Sequence, residues 1–201
     1  NPSTLLAMAE EALRATGYDE ISLLSLSSGD YSRIEPLLGE LMDRYSERRV
    51  AVGLPSLRVE TLGPRLIEEI RRVRKTSFTI APEAGTQRLR DIINKGNTDA
   101  DLLDTARRVF DGGWKSIKLY FMIGLPGERD EDLEGIADLA HRVMRQGRGR
   151  QVTLGLSTMV PKPHTPFQWA RQIGLEETLA RQGHLRRRIS NRNISFKWHD
   201  A

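Results

Sequence analysis

A regular alternation of short apolar runs with longer amphipathic stretches constrains this chain more than any other feature. The run Ile21–Leu26 has the length of one strand, and it precedes apolar residues at helical spacing, namely Ile34, Leu37, Leu38 and Leu41. The same switch from a strand-like run to a helix-like period recurs further along the chain. Strands separated by helices of this length are typical of a parallel sheet. The sequence therefore predicts an α/β fold.

This pattern extends over the full length of the chain. Strands are expected at Ile21–Leu26, Val50–Leu54, Phe78–Ile80, Ile117–Ile123, Val152–Leu156 and Ile194–Trp198. The first helix is expected to be capped by Asn1, opened by Pro2 and stopped by Gly17, and a later one, opened by Pro64, is expected at Leu66–Val73. The near-continuous apolar strands predict a sheet covered on both faces. With no internal linker, residues 1–201 are expected to form one domain, either a barrel, an open half-barrel or a doubly wound sheet.

Composition and motifs exclude several classes of chemistry. The chain contains no cysteine, which excludes disulfides, thiolate metal sites and thiol nucleophiles. Its four histidines lack the spacing of a zinc site, and neither a P-loop nor a serine nucleophile elbow is present. The catalytic residues therefore stay unknown, and no metal ligand is predicted. The apolar runs fall far short of the roughly 20 residues of a membrane helix, so we expect a cytoplasmic protein without membrane contact.

Five loops that follow predicted strands are rich in glycine, proline and functional side chains. They are Ser27–Asp30, Leu54–Arg58, Ala81–Thr86, Gly124–Glu128 and Pro161–Pro166. Because the carboxyl ends of parallel strands gather at one edge of a sheet, we expect the functional site there. In isolation, a helix cap explains Asp30, a surface position explains Arg58 and a solvated loop explains Glu83 equally well. Their shared position favours the functional interpretation.

In this order, the loops resemble those of the radical S-adenosylmethionine (SAM) superfamily. The similarity is to an uncharacterised branch whose members look like fusions to a cobalamin-binding-type N-terminal domain. Its most specific stretches are Ala81–Thr86, Ile93–Gly96, Gly124–Glu128 and Val160–Trp169. The resemblance covers nearly the whole chain. It implies a parallel (β/α) partial TIM-like barrel, with five of the six radical SAM strands present in this chain.

The resemblance also implies two cofactors, SAM and a 4Fe–4S cluster. In this superfamily a CxxxCxxC loop holds the cluster, and reductive cleavage of SAM gives a 5′-deoxyadenosyl radical. This chain has no cysteine, and the resemblance implies that it begins at the helix after that loop. We therefore expect a fragment that is inactive alone, whose full-length parent is an enzyme that carries the cluster and acts on an unknown substrate.

Residues for SAM follow from the same resemblance, position by position. Ser28, Gly29 and Asp30 match the loop that contacts the methionine amino group, and Arg58 matches a partner for the methionine carboxylate. Glu83 matches the acid that accepts hydrogen bonds from the ribose hydroxyls. Two further sets match segments beside the nucleoside: Ile123, Gly124, Leu125, Pro126 and Gly127 against adenine, and Val160, Lys162 and His164 flanking it.

Partners and alternative functions follow from what surrounds these loops. Without the first barrel strand, the edge of Ile21–Leu26 is expected to pair with another copy of the chain, a terminal segment or other domains of the parent. An alternative function is a non-catalytic α/β module that binds nucleotide or RNA through basic residues near its end. These are Arg181, Arg186, Arg187, Arg188 and Arg192. A third reading is a remnant of a TIM-barrel hydrolase, in which Asp30 and Glu83 would act as a carboxylate pair.

Overall fold

A computed structural model of the chain describes residues 1–25, 30–53, 68–69 and 78–198. These residues fall into two compact units, residues 1–76 and residues 77–201. The expectation of one domain stays a prediction. Residues 68–69 are helical, and the rest of the helix predicted at Leu66–Val73 lies outside the described residues.

The first unit contains helices α1 (Pro2–Thr16) and α2 (Ile34–Tyr45) and the short strands β1 (Glu20–Ser22) and β2 (Ala51–Gly53). The two strands are parallel. The predicted ends of α1 are confirmed. The Asn1 side chain accepts a hydrogen bond from the Ser3 N–H, Pro2 lies in the first turn, and Gly17 ends the helix with a φ of 70°. The apolar stripe of α2 is buried, as its helical spacing predicts.

Strand β1 is shorter than the sequence predicts. The apolar run Ile21–Leu26 is expected to be a strand throughout, whereas β1 ends at Ser22, and Leu26 lies outside the described residues. One further ladder bond joins the Leu23 N–H to the Gly53 carbonyl at 3.0 Å, and the Leu24 side chain is 94% exposed. A strand needs backbone partners as well as apolar residues, and an apolar run by itself does not supply them. Pairing of this edge with another chain stays a prediction.

The second unit is a four-stranded parallel sheet with strands in chain order. Its strands are β3 (Phe78–Glu83), β4 (Ser116–Ile123), β5 (Gln151–Thr158) and β6 (Ile194–Trp198). Its helices are α3 (Gln87–Ile92), α4 (Asp99–Asp111), α5 (Asp130–Gln146) and α6 (Leu175–Arg188). The prediction of an α/β fold with parallel strands is confirmed. The terminal run also forms the expected strand, with Ile194 opposite Val152.

The two faces of this sheet differ in chemistry. Alternate residues of β4 and β5 are buried beneath helices, with α5 in contact with both strands. The residues between them are only partly covered and include Lys118, Tyr120, Thr153 and Ser157. The expectation of an apolar sheet covered on both faces is therefore wrong for this part of the described structure, because one face carries polar side chains that keep water contact.

Close backbone packing fixes the loop after β3 against helix α5. An ideal Cβ atom at Gly85 would lie 2.1 Å from the Asp132 carbonyl oxygen and 2.3 Å from the Ile136 nitrogen. At Gly135, on the facing helix, a Cβ atom would lie 2.7 Å from the Gly85 carbonyl oxygen. Neither position has room for a side chain, so the two glycines let one end of the sheet approach the helix that follows β4.

We expect Gly85→Ala to lower the free energy of unfolding by about 3 kcal/mol, because the added methyl group must displace backbone atoms. Urea denaturation followed by circular dichroism measures this change. The matched control is Gly96→Ala, since no atom of the described residues lies within 4 Å of the position of its Cβ atom. Equal unfolding midpoints for the two variants would contradict the packing argument.

Candidate functional site

One buried apolar cluster joins the loops at the carboxyl ends of β3, β4 and β5. Ala84 comes from the first loop, Leu125 from the second and Met159 from the third, and Leu89 of α3 packs with them. All four side chains are buried. Because this cluster uses one residue from each loop, the second unit brings three of the predicted strand-end loops together. The sequence predicted that convergence from strand ends alone.

Glu83 lies at the end of β3 in a conformation that is unusual for its residue type. Its φ is 70°, in the left-handed region, and the pairing register with β4 shifts between Ile80 and Glu83. Such a backbone costs on the order of 1–3 kcal/mol for a residue other than glycine, and strain of this kind clusters at functional sites. The Lys95 Nζ lies 3.5 Å from Glu83 Oε1. This ion pair joins two of the stretches that carry the family resemblance.

The loop after β4 forms a type II turn, the type that proline followed by glycine favours, as at Pro126 and Gly127. The Glu128 N–H donates to the Leu125 carbonyl at 3.0 Å, and Gly127, the third residue of the turn, has a φ of 76°. Gly124, just before the turn, has a φ of 80°, and a Cβ atom there would lie 2.8 Å from Ile173 Cγ1. Ile173, which the sequence did not single out, therefore occupies the space beside Gly124.

Glu128 stabilises this turn through its side chain. Its side chain is buried, accepts a hydrogen bond from the Gly124 N–H at 2.8 Å and forms an ion pair with Arg181 of α6. Burial raises the pKa of the Glu128 carboxyl, with a smaller rise from Asp132, while the Gly124 N–H and the Arg181 guanidinium oppose the rise. The residues predicted from the sequence to face adenine end at Gly127 and do not include Glu128. An acid directly after the turn was the available signal for this residue.

Asp132, another residue that sequence reasoning missed, fastens the β3 loop to the β4 turn. Its carboxylate is 1% exposed and accepts hydrogen bonds from the Thr86 hydroxyl, the Arg88 guanidinium and the Arg129 N–H. The Arg88 guanidinium also donates to the Gly127 carbonyl at 3.0 Å. A single buried carboxylate therefore determines how two of the predicted loops lie against each other.

The loop after β5 is exposed and held by local hydrogen bonds. Val160 is 56% exposed, and Lys162 and His164 are exposed as well. His164 has a φ of 61°, and its N–H donates to Gln168 Oε1 at 3.3 Å. The Thr165 hydroxyl donates to the Lys162 carbonyl at 2.7 Å. These contacts close local turns at residues 163–164 and 166–169, so the loop is compact and not extended, although its three prolines favour an extended backbone.

The residues predicted to contact methionine are not tested by the structure. Ser28, Gly29 and Arg58 lie outside the described residues, and Asp30 is an exposed residue of the first unit. Within the described ranges, no three histidine or acidic residues gather into a group that could hold a metal ion. Because the whole sequence lacks cysteine, its residues do not fit a 4Fe–4S cluster.

The basic residues of α6 do not form a uniform positive face. Arg181 pairs with the buried Glu128, and Arg188 pairs with Glu134, whose Oε1 also lies 2.8 Å from His184 Nε2. Arg186 and Arg187 are exposed. The footprint expected for RNA is therefore smaller than the sequence suggests, and RNA binding stays a prediction. No helix in the described ranges has the length and apolarity needed to span a membrane.

Comparison with known families supports the interpretation of the loops. Residues 1–140 match the model of the Radical SAM superfamily. The chain therefore belongs to the radical SAM superfamily, whose members are enzymes that use SAM and a 4Fe–4S cluster. The finer expectation, a branch fused to a cobalamin-binding-type domain, stays a prediction.

Two curated relatives match much of the chain. An uncharacterized protein of Methanocaldococcus jannaschii, MJ0966, is 35% identical over 164 residues, which cover 82% of this chain and 35% of the relative. The tRNA-2-methylthio-N(6)-dimethylallyladenosine synthase of Desulforamulus reducens is 27% identical over 135 residues, covering 63% of this chain and 30% of the synthase. The chain thus spans about a third of the length of these relatives.

Solved structures show the same fold. The crystal structure of SuiB from Streptococcus suis superposes with a TM-score of 0.61 at 10% identity, covering 90% of this chain and 39% of SuiB. SuiB bound to SAM superposes with a TM-score of 0.52 at 11% identity, covering 90% of this chain and 38% of that one. These similarities show that the α/β arrangement is the TIM-like fold of radical SAM enzymes.

We expect Glu128→Gln to change how stability depends on pH. A raised pKa means that the folded state favours the protonated acid, so this contribution is fully present below the ordinary value of 4.5 and is lost as pH rises through the raised pKa. The free energy of unfolding of the wild type, relative to Glu128→Gln, should therefore fall over the pH range from the ordinary value of 4.5 up through the raised pKa. Urea denaturation across this range measures the difference. Glu131→Gln, at an exposed neighbour, is the control, and a pH-independent difference for Glu128→Gln would refute the assignment.

Proposed function

We propose that this chain forms the SAM-binding part of a radical SAM enzyme, with the nucleoside held by the loops after β3, β4 and β5. In this proposal the full-length enzyme, with its 4Fe–4S cluster, cleaves SAM reductively to a 5′-deoxyadenosyl radical. The observation that carries the proposal is the strained backbone of Glu83 at the end of β3. Strain of this kind is retained where it aims a side chain at a ligand.

The surroundings of Glu83 suit a pair of ribose hydroxyls. Lys95 lies near Oε1, while Oε2 has no hydrogen-bond partner among the described residues. The side chain is partly exposed, so this oxygen can accept a hydrogen bond from a ligand. A carboxylate that accepts from vicinal hydroxyls forms charge-assisted bonds, which are stronger than neutral ones. Glu83 thus combines a fixed direction with a free acceptor.

The neighbouring loops supply the remaining contacts in this proposal. The turn from Ile123 to Gly127 offers backbone groups to adenine, and Glu128 and Asp132 hold that turn rigidly in place. The exposed residues Val160, Lys162 and His164 flank the nucleoside. Ser28, Gly29, Asp30 and Arg58 are assigned to the methionine part by the family resemblance. SuiB, which shares the fold, has been solved with SAM bound.

The proposal separates SAM binding from SAM cleavage. Cleavage requires an electron from the cluster, and no residue of this chain can replace the cysteine thiolates that hold it. The 201-residue chain is therefore proposed to bind SAM without cleaving it. The characteristic visible absorbance of an iron–sulfur cluster, after reconstitution of the purified chain with iron and sulfide, would overturn this separation.

We expect calorimetric titration of SAM into the 201-residue chain to show saturable binding that Glu83→Ala weakens about tenfold or more. The reason is that loss of a charged acceptor removes about 1.5–3 kcal/mol of binding free energy, and 1.4 kcal/mol corresponds to a factor of ten. Arg58→Ala should weaken binding similarly, because the resemblance pairs it with the methionine carboxylate. Glu11→Ala, at an exposed residue of α1, should bind like the wild type.

Two further measurements keep this test specific. The affinity for adenosine should still depend on Glu83 but no longer on Arg58, because adenosine has the ribose without the methionine. Circular dichroism of every variant checks that the fold is intact. Unchanged SAM affinity in Glu83→Ala, or no saturable binding by the folded wild-type chain, would count against the proposed site.

A further inference from the structure

A cleft on the polar face of the second unit's sheet lies outside the residues assigned to SAM. Its volume is about 350 Å³. The described residues that line it are Lys118, Tyr120, Thr153, Gly155, Leu156, Ser157, Lys197 and Trp198. From this lining we infer that the cleft binds an aromatic ligand that carries a phosphate group, of the nucleotide class. Its role as the substrate site rests on the proposed function, whereas the binding itself does not.

Strand pairing sets the positions of the charged and aromatic groups. Tyr120 of β4 lies opposite Gly155 of β5, which in turn lies opposite Lys197 of β6. Lys118 lies one side-chain row away, opposite Thr153. With strands about 4.8 Å apart and a rise of about 3.3 Å per residue, the Cα atoms of the two lysines are on the order of 12 Å apart. Their long, flexible side chains can therefore converge on one group over β5, beside the Tyr120 ring.

The charge of the cleft selects an anion. Two of the described lining residues are lysines, and none is acidic. Neither Lys118 nor Lys197 forms an ion pair within the described ranges. Four arginines of the same unit do pair with acids, namely Arg88 with Asp132, Arg90 with Asp99, Arg181 with Glu128 and Arg188 with Glu134. Two ammonium groups that line one cleft, without an ion-pair partner among the described residues, strongly favour a doubly charged oxyanion such as a phosphate monoester.

Hydroxyl groups complete the polar lining. The Ser157 hydroxyl donates to the Phe121 carbonyl at 3.4 Å, and the Thr153 and Ser195 hydroxyls lie 3.1 Å apart across β5 and β6, where either can be the donor. One proton of the Thr153–Ser195 pair is left to donate to an oxygen atom of a phosphate or a sugar. These hydroxyls leave the cleft polar without adding a negative charge, which is consistent with an anionic ligand.

The aromatic part of the inference depends on Tyr120 and Gly155. Tyr120 is 44% exposed although it lies in the middle of a central strand. A Cβ atom at Gly155 would lie 2.6 Å from the Tyr120 ring, so the ring leans over the glycine. Because Gly155 has no side chain, the Tyr120 ring can lie over it, and the surface of the sheet beside the ring stays uncovered. An exposed ring next to two cations is a surface on which a base can stack while its phosphate reaches the lysines.

The test is calorimetric titration of AMP into the 201-residue chain and its variants. We expect Lys118→Met/Lys197→Met to weaken AMP binding by about tenfold to a hundredfold, because two charge-assisted contacts are lost. Tyr120→Ala should weaken AMP by about fivefold or more through lost stacking, and Tyr120→Phe should restore it. Binding of inorganic phosphate should depend on the two lysines and not on Tyr120. Lys115→Met, at an exposed lysine outside the cleft, should leave AMP binding unchanged.

A crossed comparison separates this inference from the SAM proposal. The double lysine variant should retain SAM binding, and Glu83→Ala should retain lysine-dependent AMP binding. AMP binding that depends on Glu83 and not on the lysines would place AMP at the SAM loops and overturn the inference. Equal losses in Lys115→Met and the lysine pair, or no AMP binding by the folded chain, would overturn it as well. Circular dichroism and the urea midpoint check each variant for folding.

Discussion

The organisation of the site depends on one buried carboxylate, that of Asp132. It lies where Gly85 and Gly135 bring the β3 loop against α5, and it accepts hydrogen bonds from both sides of that contact. A buried acid is stable only when its oxygen atoms are paired, so its partners Thr86 and Arg88 must be in place. The close backbone approach and the carboxylate therefore require each other, and the positions of two loops follow from them.

The acidic residues around the candidate site in the second unit have two different roles. Asp132 and Glu128 are buried and fully engaged, so they hold loops in place and are unsuited to meeting a ligand. Glu83 is partly exposed, on a strained backbone that the surrounding packing enforces. Rigid support beneath an available carboxylate is the arrangement that ligand binding requires. The same division applies to the cations, since the arginines of α6 that pair with acids stabilise the fold while Lys118 and Lys197 stay available.

Much of the fold could be predicted from the sequence. The alternation of strands and helices, the ends of α1 and the turn at Pro126 and Gly127 all depend on local rules of spacing and backbone preference. The loops at strand ends could also be found, because parallel strands place them at a common edge. The length of β1 and the polar face of the sheet could not, since both depend on which partner lies alongside a residue.

The sequence by itself determined the fold class, the family and the loops that form the candidate site, because periodicity, turn residues and motif order are properties of the chain. Its lack of cysteine likewise determined that no residue here can hold an iron–sulfur cluster. Only the tertiary structure decided that Asp132, Glu128 and Ile173 support those loops, and that Lys118, Tyr120 and Lys197 share one cleft. Burial and ion pairing bring together residues that are distant in sequence, so their spacing along the chain does not predict which of them are in contact.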